Sequence, residues 1–341
     1  MDRIDVKNIP RKILVIKPSS LGDVVHSLPF LYALRERFPF AKIDWVIARG
    51  LEGLLEGNPM FSKLWVINKD EWKKIGCIKG TLSEIGQLVK GLREEDYDIV
   101  IDLQGLMRSG LITKATGAPI RIGFSEAREG STLFYTHKVS GGTDIHAVDR
   151  YLKVAEALGC NTDTPNFPMP LIRESEKILK LRNELGGYAV IVPGARWETK
   201  KWPASQFAVL ASMLPVRSVI VGGPADRALS QMIQEKSSGK ALSMAGETDI
   251  MDLIWLIRGA KFVITNDSGP MHIAAACGIP VIAIFGPTDP TRTGPYGRNN
   301  IIVRSSLQCA QCFKRKCKDL RCMKEISAEQ VFEAVRRTTQ A

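Results

Sequence analysis

The chain has 341 residues, 45% of them hydrophobic and 24% charged, with a formal net charge of +11. That size suits two α/β domains, and no apolar run approaches the ~20 residues of a membrane span. Seven cysteines, an odd number, do not form a secreted disulfide framework, and the polar, charged first eleven residues do not form a signal peptide, so a cytoplasmic protein is expected. The positive charge favours an anionic partner: nucleic acid, an acidic membrane surface or a phosphorylated substrate. No zinc-finger spacing, RNP-like motif or heptad repeat supports nucleic acid, and the Lys and Arg residues form no tail.

Taken in chain order, the first half alternates strands and helices. A buried strand is predicted over 12–17, ending at Pro18 and a tight turn, Ser19-Ser20-Leu21-Gly22. Asp23 follows where a helix begins, predicted over 24–38 with Val24, Val25, Leu28, Leu31 and Leu34 on its apolar face. A lone carboxylate therefore stands at the carboxyl end of a first strand, where open α/β sheets bind ligands. It reads equally as a helix N-cap or as a reacting group. Further strands are predicted over 42–47, 64–67, 97–102 and 136–139, and helices over 50–56, 81–94, 105–115 and 145–158. Three prolines among polar residues make 161–170 a linker.

The pattern then restarts. Strands are predicted over 188–192, 217–221, 261–265 and 280–285, and helices over 174–184, 204–213, 225–236, 249–257, 269–277 and 327–338. Two doubly wound domains facing each other across a cleft are the expected architecture. The loop after the strand at 188–192 carries Arg196, Lys200 and Lys201, which either neutralise a diphosphate or are solvated. Asp226 ends the loop Val221-Gly-Gly-Pro-Ala-Asp and is suited to ribose hydroxyls. Ser268 and Gly269 open a helix with Pro270 in its first turn, and the free N–H groups there suit a phosphate. His272 faces the same end, as a phosphate donor or as a satisfied, semi-buried histidine. Near the C-terminus, Cys309, Cys312, Cys317 and Cys322 are close enough in sequence to hold a structural zinc or an iron–sulfur cluster, although the spacing is not that of a zinc ribbon.

Four blocks in this order carry a resemblance over nearly the whole chain: Lys17-Pro-Ser-Ser-Leu-Gly-Asp-Val-Val-His26, Asp98-Ile-Val-Ile-Asp-Leu-Gln-Gly-Leu-Met-Arg-Ser109, Lys200-Lys-Trp-Pro203 and Asn266-Asp-Ser-Gly-Pro-Met-His272. Together they resemble glycosyltransferase family 9, the lipopolysaccharide heptosyltransferases. The Ser-Ser-Leu-Gly-Asp form and His146-Ala-Val-Asp-Arg150 are most similar to the branch that adds the first heptose.

The resemblance implies a GT-B fold of two Rossmann-like domains: 1–170 for the acceptor, 171–326 for the nucleotide sugar, and a C-terminal helix, 327–341, packing back on the first domain. It implies inverting, metal-independent transfer of heptose from ADP-heptose to the Kdo region of lipid A, with no cofactor. By motif position Asp23 matches the general base, and Lys200 a phosphate-binding lysine aided by Arg196. Asp267, Ser268, Gly269 and His272 match the ADP-binding block, and Asp226 matches the ribose carboxylate more loosely. Ser20, Gly22 and the loop arginines Arg108, Arg121 and Arg128 are expected at the acidic acceptor. The same basic surface would hold the protein peripherally on the anionic inner leaflet, at the cytoplasmic face. The rival readings are a family member with another acceptor, such as a later core heptose or a protein hydroxyl, and a metal- or nucleic-acid-binding protein built on the cysteine loop. A nicotinamide oxidoreductase lacks its G-x-G-x-x-G after the first strand.

Overall fold

The computed structural model describes residues 3–6, 9–69, 78–170 and 175–340. The chain divides into two compact units, Met1–Leu171 and Ile172–Ala341. The domain boundary expected at 170/171 and the first residue of the helix expected at 174–184 touch residues outside the described ones.

In the first unit the elements run β1 (Lys12–Ile16), α1 (Leu21–His26), α2 (Leu28–Arg37), β2 (Lys42–Ala48), β3 (Lys63–Ile67), α3 (Ile78–Glu94), β4 (Ile99–Asp102), α4 (Met107–Ala115), β5 (Ile120–Phe124), β6 (His137–Val139) and α5 (Ala147–Ala157). The six strands are parallel, in the order β3-β2-β1-β4-β5-β6. Ile13 is level with Ile43 on one side and Ile99 on the other. Such central strands are covered on both faces, which is why they read as continuous apolar runs.

The second unit holds α6 (Glu176–Leu185), β7 (Tyr188–Val192), α7 (Ala204–Met213), β8 (Arg217–Ile220), α8 (Arg227–Lys236), β9 (Ala241–Ser243), α9 (Ile250–Arg258), β10 (Val263–Asn266), α10 (Gly269–Ala276), β11 (Val281–Phe285), α11 (Pro290–Thr293), β12 (Asn300–Arg304), α12 (Arg321–Lys324) and α13 (Ala328–Gln340). Its sheet is also parallel, ordered β12-β11-β10-β7-β8-β9. Both sheets are doubly wound about one switch point, between β1 and β4 in the first and between β7 and β10 in the second. Ligands bind outside the carboxyl ends of the strands at such points.

The structure corrects several sequence expectations. The helix expected over 24–38 starts at Leu21 and is two helices, with Ser27 capping the end of α1 and the start of α2, and Pro29 in the first turn of α2. The helix expected over 50–56 is a single 3₁₀ turn, Glu52–Leu54. β5, β9 and β12 were not expected as strands. The linker 161–170 is tied to the first unit by Asn58, whose Nδ2 donates to the Pro168 carbonyl at 2.6 Å. The last helix belongs to the core of the second unit. Val331, Ala334 and Val335 of α13 are buried with Phe207, Ala211 and Ile282, and the Trp202 indole N–H donates to the Ile326 carbonyl at 2.9 Å.

Candidate active site

In the first unit the switch point is lined by the turn after β1 and the loop after β4. Ser20 is the N-cap of α1, and Asp23 is its third residue. The Asp23 Oδ2 accepts from the Ser20 N–H at 2.9 Å and from the Ser20 hydroxyl at 2.7 Å. This is a capping box, so Asp23 does serve the helix end, not as the cap itself but as the acid that reaches back to it. The carboxylate is half-buried, and Gly22 beside it is buried.

Behind this turn Lys17 is almost fully buried, with its ammonium 3.3 Å from the Leu103 carbonyl and 5.1 Å from the centre of the Tyr151 ring. Burial acts to lower its pKa, but Tyr151, Asp23 and Asp102 outweigh that and hold it above the ordinary lysine value. Asp102, fully buried at the end of β4, accepts from the Gln104 and Gly105 amides and from the Tyr135 hydroxyl at 2.7 Å. Burial still pushes its carboxyl above the usual range. His26, buried at the end of α1, meets His146 edge-on with ring centres 5.1 Å apart. His146 caps α5, its Nδ1 accepting from the Val148 amide at 3.2 Å. The sequence marks His146 only as part of a motif, with nothing to put it beside the Asp23 helix. Its position immediately before the helix start at Ala147 was the available signal for its capping role.

The three arginines expected at the acceptor are not equivalent. Arg108 lies in the first turn of α4, not in a loop, and is exposed. Arg121 lies in β5, where its guanidinium donates to the Phe134 and Ala118 carbonyls at 2.9 and 2.6 Å, a structural use of the side chain. Arg128 is in an exposed bend, and its amide donates to the Gly105 carbonyl at 2.9 Å, which ties that bend to the loop after β4.

In the second unit the switch point gathers the loops after β7, β10 and β11. Asn266, fully buried at the end of β10, accepts from the Trp202 amide at 3.1 Å and donates to the Pro193 carbonyl at 2.7 Å. Next to it the Asp267 Oδ2 takes the Lys200 ammonium and the Thr288 hydroxyl, each at 2.6 Å. This ion pair is shielded, with side-chain exposures of 16% for Lys200 and 7% for Asp267. Lys201 pairs with Glu198, while Arg196 is exposed. Two of the three cations of the basic loop thus meet carboxylates.

Ser268 is the N-cap of α10, Gly269 its first residue and Pro270 its second, as the sequence indicated. The Ser268 and Thr265 hydroxyls are 3.0 Å apart. His272 is buried in the first turn and a half of α10. Asp226 caps α8 and accepts from the Gly223 amide at 3.0 Å. A Cβ on Gly194 would lie 2.6 Å from its carboxylate oxygen, so a glycine after β7 is what lets Asp226 stand against that turn.

Of the four clustered cysteines, Cys309, Cys312 and Cys317 are exposed and Cys322 is buried. The Leu320 and Asp319 amides draw the Cys317 thiol below its ordinary pKa, while burial, then the other three thiols, push Cys322 up. Among the described residues no three His, Cys, Asp or Glu side chains are grouped to hold a metal ion.

Residues 85–322 match the family model described as Glycosyltransferase family 9 (heptosyltransferase). The chain is 30% identical to lipopolysaccharide heptosyltransferase 1 of Pseudomonas aeruginosa over 325 residues, 90% of this chain and 87% of that protein. Relatives named lipopolysaccharide heptosyltransferase 2 and 3, both from Escherichia coli, are 28% and 31% identical over 86% and 82% of this chain, and 88% and 84% of theirs. A glycosyl transferase family 9 structure from Veillonella parvula superimposes with a TM-score of 0.85 at 27% identity, covering 97% of each chain. The E. coli heptosyltransferase WaaC with ADP gives 0.80 at 24% identity, covering 96% of this chain and 99% of that one. The fold is therefore GT-B, and the chain belongs to glycosyltransferase family 9, the heptosyltransferases.

Proposed function

We propose that this enzyme transfers heptose from ADP-heptose to the Kdo region of lipid A in lipopolysaccharide core synthesis, with inversion and without a metal. One observation carries the reading: the two equivalent switch points hold complementary chemistry. The first unit presents a half-buried carboxylate, Asp23, and the second a helix start beside an ordered lysine.

A single displacement needs both. Asp23 takes the proton of the acceptor hydroxyl as its oxygen attacks the anomeric carbon. The bond from that carbon to the β-phosphate oxygen breaks, and its electron pair leaves with ADP. The amides at the start of α10 and the Lys200 N–H groups meet the charge that develops there. An ammonium has three donors, and the hydrogen bond to Asp267 uses one and fixes the direction of the others. In this reading Asp226, in the loop after β8 and against the turn after β7, takes the ribose hydroxyls. Arg108 and Arg128, exposed at the Asp23 end of their sheet, suit acidic sugar and lipid phosphate groups. The membrane-bound acceptor and the net charge of +11 make an anionic cytoplasmic membrane surface the expected place of work.

A second reading keeps the donor and changes the acceptor, because the relatives matched include proteins named heptosyltransferase 1, 2 and 3. The test is transfer from ADP-heptose to purified Kdo-lipid A with EDTA present. Wild type is expected to transfer, and Asp23→Ala to be slower by at least ~100-fold while still binding ADP. ADP binding without transfer to this acceptor would point to the second reading. Transfer that needs an added metal would refute the metal-independent mechanism.

A further inference from the structure

The segment between β12 and α12, residues 305–320, carries three of the four clustered cysteines, and none of the steps above uses it. It is not a free loop. The Gln311 amide donates to the Gly286 carbonyl at 3.0 Å and the Phe313 amide to the Pro287 carbonyl at 2.7 Å. The residue after those carbonyls is Thr288, which bonds Asp267. The loop is therefore laid along the β11 turn that helps to build the site. Its course requires left-handed backbone at Gln311, Phe313 and Leu320, three residues with side chains, so contacts elsewhere must hold it in place.

That course puts Arg315 over Trp197, its guanidinium carbon 4.9 Å from the ring centre. The Lys200 ammonium is 4.6 Å from the same ring centre. Two cations from distant parts of the chain thus share one indole, within about 10 Å of each other. Their charges are compensated differently. Lys200 is matched by Asp267, Lys201 by Glu198, and the loop's own Asp319 bonds Arg321. Arg315 is exposed, and among the described residues it has no carboxylate partner. A planar guanidinium steadied on an aromatic ring is well suited to a phosphate, which it can grip through two N–H donors.

We propose that the cysteine loop is a diphosphate-binding element of the second unit and that Arg315 is the residue that grips the diphosphate of the nucleotide sugar. The inference rests on the ADP-sugar reading above. It adds a ligand contact that the motifs at Lys200 and Asn266 do not contain.

The test is calorimetric titration of the full chain with ADP and with adenosine. Arg315→Ala should weaken ADP by about 10-fold or more and leave adenosine unchanged. Arg315→Lys should recover part of the loss, and Lys318→Ala, on the same loop, should match wild type. Wild-type binding of ADP with no change in Arg315→Ala overturns the role of the loop. So does an equal loss of ADP and adenosine, which would mark a structural effect, or an equal loss in Lys318→Ala, which would mark diffuse charge. Failure of wild type to bind ADP would be a different result, overturning the donor reading itself.

Discussion

Glu126, in the turn after β5, holds one loop through both of its oxygens. Oε1 accepts from the Ser140 hydroxyl and the Gly142 amide, and Oε2 from the Gly141 amide, with Arg150 at 3.9 Å. Burial works to raise its pKa, but the hydrogen bonds win and hold it at about 2, against an ordinary value of 4.5. A depressed carboxyl contributes stability that is complete above the unfolded value and is lost as the pH falls through the folded one. Glu126→Ala should therefore cost about 1 kcal/mol at pH 7, a figure reduced for its partial exposure. The deficit should shrink below pH 4.5 and vanish near pH 2. Urea unfolding of both proteins across that range checks it, and a deficit independent of pH would refute the linkage. Nothing in the local sequence marks Glu126, whose hydrogen-bond donors are 14 to 16 residues away. Asp23 was legible because strand, turn and carboxylate are contiguous. Its tie to Ser20 lies within four contiguous residues, but with the helix expected from Val24 and not from Leu21, Asp23 reads as the cap itself and not as the acid that reaches back to it. The Lys200–Asp267 pair was not legible, because 67 residues separate its members and only the sheet order brings them together.

At the scale of elements, long buried strands were readable, whereas of the short or interrupted ones β6 was read and β5, β9 and β12 were not. β1, β2, β4, β7, β10 and β11 are runs of apolar residues near the switch points. β5 contains Arg121 and Gly123, which break the apolar pattern. A Cβ on Gly123 would overlap the Tyr135 ring, so the glycine is there for packing and not to mark a turn. β9 has three residues, and β12 is an edge strand of intermediate exposure. The split of the first predicted helix was hidden because Pro29 sits where a helix start tolerates it. What the elements need beyond their own propensities is a pin between loops, and Asn266 provides it. Its side chain bonds the β7 loop at both ends, at Pro193 and Trp202. Asn266→Ala leaves a buried carbonyl and a buried amide unsatisfied, and should cost about 1–3 kcal/mol for each group. Because those bonds position the Lys200 loop, ADP affinity should also fall. Denaturant melts paired with ADP titration check both, and a stable variant with wild-type ADP binding would remove Asn266 from the site's support.

For the whole molecule, the two units repeat one topology but carry different groups at their switch points: a carboxylate at one, a helix start and cations at the other. The surplus of positive charge must then be placed. In the first unit the exposed apolar side chains Met107, Leu111 and Leu133 lie near the basic Arg108, Lys114 and Arg128, all of them exposed. The Met107 amide bonds the Glu129 carboxylate at 3.1 Å, which joins the start of α4 to the bend that carries Arg128. Among the described residues no helix is long and apolar enough to cross a membrane, so membrane contact through this unit would have to be made at a surface. Basic residues near an anionic leaflet contribute about 1 kcal/mol each, and that attraction decays over about 8 Å at physiological salt. Binding to vesicles rich in phosphatidylglycerol should therefore be clear at ~0.05 M salt and weak at ~0.5 M, where the Debye length is about halved. Neutral phosphatidylcholine vesicles should bind little at either. Leu133→Asp, which adds charge repulsion where an apolar side chain is 80% exposed, should lower binding without moving the melting temperature. Cosedimentation reads all of these. Binding that ignores both salt and lipid charge would mean that the surplus of 11 positive charges serves the soluble substrates and not the membrane.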